Sequence, residues 1–272
     1  MNAIRLRLRI SLAILLTVVV LGSIGFALIE RVPLGDAFYF TIVTVATVGY
    51  GDVHPTTGAG KALAVGIILT GVGTFVGVIG NAIEMMLARR EHGARMEKLN
   101  MVIGAFFSEV GTALLAIFAR ASADAARIRA ELLVSPKWTD EEFARVRASL
   151  QGLDYSLRLD AIDLSGLTAL LASKREFLVR LLENPVLIEH EQFTGILWAV
   201  FHLTEELGYR RDTSQLPASD RDHLAGDAKR AYSLLVIQWL DYVKHLKARY
   251  PYLFSLAVRT NPFDETASPV IR

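Results

Sequence analysis

The chain has 272 residues, 52% of them hydrophobic, and its 29 basic and 28 acidic side chains leave a formal net charge of +1. That balance gives no electrostatic footprint for nucleic acid, and no run of like charges is long enough to act as an interaction tail. Cysteine is absent, which excludes disulfide frameworks, thiolate metal sites and cysteine nucleophiles.

The apolar excess is concentrated in two early stretches. Residues 10–29 carry no charged side chain, and about 20 residues at a 1.5 Å rise cover the ~30 Å hydrocarbon core of a bilayer. This predicts a first transmembrane helix. A cleaved signal peptide is the competing reading, weakened by the length of the apolar run and by a second span at residues 62–88. Arg5, Arg7 and Arg9 precede the first span, while Arg89, Arg90, Arg95 and Lys98 follow the second. The positive-inside rule then places both termini in the cytoplasm and the connection between the spans outside.

Within that connection Pro33 suits the first turn of a helix, and Asp36 complements its dipole. Residues 34–46 are predicted to form a helix too short to span, hence a re-entrant one. Immediately after it come Thr47, Val48, Gly49, Tyr50, Gly51 and Asp52. Carbonyls that all face one axis need unusual dihedrals at alternate residues, which Gly49 and Gly51 can supply.

These residues resemble the filter signature of potassium channels with two spans and one pore loop, and the resemblance covers residues 10–90. It implies that four copies of the loop surround potassium with carbonyl rings from Thr47, Val48, Gly49 and Tyr50. The Thr47 hydroxyl would form the innermost ring, and Gly51 would free the outer mouth. It further implies that Tyr50 packs against Tyr39 and Phe40, and that Asp52 braces the filter from behind. Two departures stand out: Ala46 occupies a position where the family commonly has threonine, and Val43 removes a carboxylate that pairs with the filter aspartate in some bacterial members. By the same resemblance the chain is a homotetramer of identical subunits in the lipid bilayer of the cell membrane. Potassium is the permeant ion, and no other cofactor is identified. The alternative is the membrane subunit of a potassium transporter, although such subunits normally carry four degenerate loops in one longer chain.

In the second span Gly71 is a candidate gating hinge, with close helix packing as the equal alternative. Gly73 and Gly77 form a G-x-x-x-G pair that lets helices approach, and either is a second hinge candidate. Glu84 falls at the intracellular pore mouth, where four copies would concentrate cations, or would pair with Arg89 or Arg90 of a neighbour. No arginine-repeat helix occurs, so a voltage sensor of the familiar kind is not expected.

Beyond the second span, apolar residues recur at helical spacing over residues 95–132, 140–151, 166–183, 187–209 and 220–249. A stretch at 101–118 is apolar but interrupted by Ser108 and Glu109, which predicts a buried helix and makes Glu109 a place to look for a buried polar contact. Thr139 and Glu142 have the spacing of a capping box. Residues 152–165 alternate in part and could be extended. The fold class is therefore all-α: a pore domain at 1–90 and a helical-bundle cytoplasmic domain at 91–272. No nucleophile, paired-acid or phosphate-loop constellation emerges from 89–272, so an enzyme is not expected. On one predicted helix Glu191, His202 and Glu206 share a face with Trp198 and form a candidate sensor for protons or a metal. The alternative is an ordinary i,i+4 pair, His202 with Glu206, on a solvated surface. The sequence names no regulatory ligand.

Overall fold

The computed structural model describes residues 2–188 and 190–270. It divides into two compact units, Met1–Ala94 and Arg95–Arg272. Both are helical, and among the described residues strand-like pairing is confined to one antiparallel bridge between Ser122 and Leu157.

The first unit opens with α1, Asn2–Glu30, followed by α2, Leu34–Val45. The chain turns between them through Arg31, a non-glycine residue at φ 57°. Pro33 caps α2, and Asp36 lies in its first turn. At 12 residues α2 is about 18 Å long and cannot cross a bilayer. Then come α3, Gly58–Ile67, a π-helical turn at Ile68–Val72, and α4, Gly73–Phe106. A small interior of Phe26, Ala37, Phe40, Val45, Ala64 and Ile67 joins α1, α2 and α3, with Phe26 stacked on Phe40 at 4.0 Å between centroids. Most other apolar side chains face outward: Leu16, Leu28 and Leu69 are 65%, 75% and 74% exposed. A long helix whose residues 10–29 are uncharged, with an apolar exterior and an internally satisfied backbone, is what a bilayer requires.

Glu30 fastens the end of α1 to the start of α3. Its carboxylate accepts from the hydroxyls of Thr56 and Thr57 at 2.6 and 2.7 Å and from the Thr57 N–H at 3.0 Å. Thr57 in turn caps α3 by accepting from the Gly60 N–H at 2.9 Å.

The second unit contains the last turns of α4, a π-helical turn at Phe107–Gly111, α5 (Thr112–Ala121), α6 (Ala125–Leu132), α7 (Asp140–Gln151), α8 (Leu164–Leu182), α9 (Pro185–Ile188), α10 (Glu191–Gly208), α11 (Ala218–Arg249) and α12 (Pro251–Arg259). The apolar stretch 101–118 supplies its centre: Phe106, Val110, Leu114, Leu115 and Phe118 are fully buried. Glu109 does not make a buried contact. It sits half-exposed in the π-helical turn, bonded to Lys174 of α8 at 2.8 Å.

The predicted helix at 95–132 is interrupted at Ser122. There the Arg158 N–H donates to the Ala121 carbonyl at 2.9 Å, and the Ala123 N–H donates to the Ser156 carbonyl at 3.0 Å. The partly alternating segment after α7 is thus extended for a few residues, and a 3-10 turn at Leu159–Ala161 follows. Thr139 and Glu142 complete a reciprocal capping box at the start of α7. The long α11 runs through the unit with Tyr232 at 0% exposure, touched edge-on by Phe118 and Tyr155.

Candidate functional site

The loop after α2 is held by the last turn of that helix. The Thr47 N–H donates to the Thr44 carbonyl at 3.0 Å, and the Val48 N–H donates to the Val43 carbonyl at 2.9 Å, with Gly49 N–H reaching the same oxygen at 3.4 Å. The amides of Thr47, Val48 and Gly49 therefore point back at the helix, satisfying carbonyls that a helix C-terminus otherwise leaves free. Among the described residues, no hydrogen bond reaches the carbonyl oxygens of Thr47, Val48, Gly49, Tyr50 or Gly51.

Backbone handedness accounts for this separation of donors from acceptors. Thr47, Gly49 and Gly51 lie at φ 63°, 60° and 78°, while Val48 and Tyr50 between them stay at negative φ. Alternating left- and right-handed residues turn successive amides to one side and successive carbonyls to the other. For the two glycines the left-handed region carries no penalty. Thr47 is β-branched, and in that region it is a strained residue of the kind that accumulates at functional sites.

Asp52, just past the loop, accepts from the Tyr39 hydroxyl at 2.9 Å and from the Val53 N–H at 3.0 Å. Tyr39 is on α2, so the loop is tied to its helix at both ends. Phe40, the neighbour of Tyr39, turns the other way and stacks on Phe26 of α1. Tyr50 is 72% exposed on the single chain.

Gly71 is buried in the π-helical turn. A β-carbon placed there would lie 2.6 Å from Val45 Cγ2 and 3.4 Å from Val18 Cγ1, so the position is one of close approach to the end of α2 and to α1. Gly73 and Gly77 have open space around them. Glu84 is exposed on α4.

In the second unit His202 and Glu206 lie one turn apart on α10, and Glu206 is bonded by Arg210 at 2.8 Å. Glu191 begins the same helix and, about 16 Å along the axis from His202, does not join it. Trp198 is 57% exposed and meets the Phe201 ring edge-on. Sequence reasoning missed His223 and Asp227 of α11, which stand opposite His202. The signal was the repeated spacing: two histidines, each followed by an acid four residues later.

Comparison with known proteins defines the class. Residues 13–88 match the "Ion channel" family model. Over this region the chain is similar to two pore potassium channel c of Oryza sativa subsp. japonica, 38% identical over 60 residues, which are 22% of this chain and 13% of that one. It is also similar to a voltage-gated potassium channel of Aeropyrum pernix, 42% identical over 50 residues, 18% of this chain and 17% of that one. Residues 13–88 thus carry an ion-channel domain similar to that of potassium channels, and the chain spans less than a fifth of the length of these two channels.

Residues 95–259 match the family model "Uncharacterized protein MJ1433, C-terminal helical domain". With the Methanocaldococcus jannaschii protein MJ1433 the chain shares 50% identity over 182 residues, 67% of this chain and 73% of that one. The chain belongs to this MJ1433 family. No solved structure matches it.

Proposed function

We propose that the protein is a subunit of a homotetrameric, potassium-selective channel that conducts passively across the cell membrane. In this reading Thr47, Val48, Gly49, Tyr50 and Gly51 of four identical chains form the filter. The observation that carries it is the loop backbone, in which every amide from Thr47 to Gly49 is spent on α2 while the carbonyls from Thr47 to Gly51 remain bare. Four such rows replace a cation's hydration shell with oxygens at fixed spacing. One loop per chain makes fourfold assembly the condition for conduction.

Both termini lie in the cytoplasm, as the arginines flanking the spans favour. Glu84 lines the inner mouth, and the helical unit from Arg95 onward gates the pore. Tyr39 and Asp52 brace the filter from behind.

The test is the reversal potential of the purified protein in planar bilayers with opposed potassium and sodium gradients. A potential that follows the potassium gradient is expected. One that follows sodium, or the sum of both cations, would overturn the reading.

A further inference from the structure

His202 and Glu206 on α10, and His223 and Asp227 on α11, are each four residues apart, which puts each pair on one face of its helix. The two helices pack against each other and bring the four side chains together. His202 Nε2 lies 3.3 Å from Asp227 Oδ2, and His223 Nε2 lies 3.4 Å from the same oxygen. Glu206 stands just behind, with Oε2 3.6 Å from His223 Nε2 and Oε1 3.9 Å from His202 Nε2.

These separations are longer than hydrogen bonds, which for N–H···O fall at about 2.7–3.2 Å. Accordingly, Asp227 Oδ2 accepts no hydrogen bond although Asp227 is 4% exposed. A buried carboxylate oxygen without a donor is costly and calls for a partner. The spacing indicates which one. A four-coordinate metal with arms of about 2.0–2.1 Å holds its ligand atoms about 3.3–3.4 Å apart along each tetrahedral edge. One ligand atom from each of His202, His223 and Asp227 lies within 4.8 Å of the other two.

We propose that this cluster is a binding site for a divalent transition-metal ion of the zinc class, with His202, His223 and Asp227 as ligands and water in the fourth position. The two histidines are 44% and 52% exposed at their side chains, so solvent reaches that position. Two imidazoles with one carboxylate suit zinc and disfavour magnesium and calcium, which take oxygen ligands. The surroundings are arranged as an outer shell. Arg230 Nη1 lies 3.6 Å from the other oxygen of Asp227. Arg210 holds Glu206 and also pairs with Asp220, so Glu206 is fixed where it can accept a hydrogen bond from the bound water. Three carboxylates face two guanidinium groups, and the balance favours a cation. Bound there, the ion would pin α10 to α11.

The site is independent of the pore, so its test needs no ion flux, and failure of the channel reading would leave it untouched. The full chain in detergent, stripped with a chelator, is titrated with zinc chloride by calorimetry. One equivalent per chain is expected, with magnesium and calcium giving no comparable heat. His223→Gln, His202→Ala and Asp227→Asn should each weaken binding by at least about 10-fold. Circular dichroism melts guard against misfolding. Zinc should raise the midpoint of the parent chain more than that of His223→Gln at the same concentration, and the metal-free melt of His223→Gln should match the parent. Substoichiometric binding, or stoichiometric binding undiminished in all three variants, would overturn the proposal.

Discussion

Gly71 sits where any side chain would press on Val45: an added β-carbon meets Val45 Cγ2 at 2.6 Å. The glycine therefore fills a steric role between the π-helical turn after α3 and the end of α2. Overpacking of this kind costs roughly 1–3 kcal/mol. Gly71→Ala should lower the melting midpoint of the detergent-solubilised protein, and Val45→Ala in the same chain should restore much of it. If the double variant is as unstable as the sum of the two single ones, the contact is not the reason for the glycine.

The Tyr39 hydroxyl is one end of a brace whose other end is the Asp52 carboxylate. The bond ties the residue just past the loop to α2, so its removal should loosen the loop. Tyr39→Phe and Asp52→Asn should each shorten filter-limited open times in single-channel records while leaving the reversal potential near the potassium value. The double variant should be no worse than Tyr39→Phe alone. Additive effects would mean that the two residues act separately.

His245 gives the helical unit a pH dependence. Its Nε2 is buried without a hydrogen-bond partner, and its pKa lies below the ordinary 6.5, chiefly through burial, then through Arg249, with Glu97 opposing. Between the folded value and about 6.5 the unfolded chain binds a proton that the folded chain does not. Stability should therefore fall as pH drops through that window and level off below it. Melting midpoints measured from pH 7.5 to 5 should show this slope, and it should flatten in His245→Gln. Equal slopes in the two proteins would remove His245 as the cause.

Arg210 is the hub of a fork. Its side chain is 16% exposed, and it donates to both oxygens of Asp220, at 2.8 and 2.5 Å, and to Glu206 at 2.8 Å. Both carboxyl groups are held below the usual range, chiefly by this guanidinium. Arg210→Met should cost about 1–3 kcal/mol in urea titrations monitored by circular dichroism. Arg210→Lys should recover little, because an ammonium cannot reproduce the planar fork. Full recovery by lysine would reduce the network to simple charge.

The loop at Thr47–Gly51 was legible because its chemistry is local: a helix start at Pro33, a short helix, and five residues in a fixed order. Its bracing was less so. Val43 leaves α2 without a carboxylate at its own position, and the donor that bonds Asp52 comes from Tyr39, one turn earlier on the same face. In the second unit the helices follow from apolar spacing, and the capping box at Thr139 reads directly. The break at Ser122 does not, since it depends on pairing with Ser156 and Arg158 across a stretch of α7 and its loop. For the same reason half of the histidine cluster stayed hidden. His202 and Glu206 are adjacent on α10, but only the packing of α11 brings His223 and Asp227 to them.

The bare carbonyls from Thr47 to Gly51 also bear on how the protein should be handled. In the proposed tetramer, rows of oxygens that face one axis would repel one another unless a cation sat among them. Whatever binds the assembled state and not the separated chain stabilises it by mass action. Potassium would then be a part of the native fold as much as its cargo, and protein purified into potassium-free sodium buffer would be a looser molecule than the one that conducts.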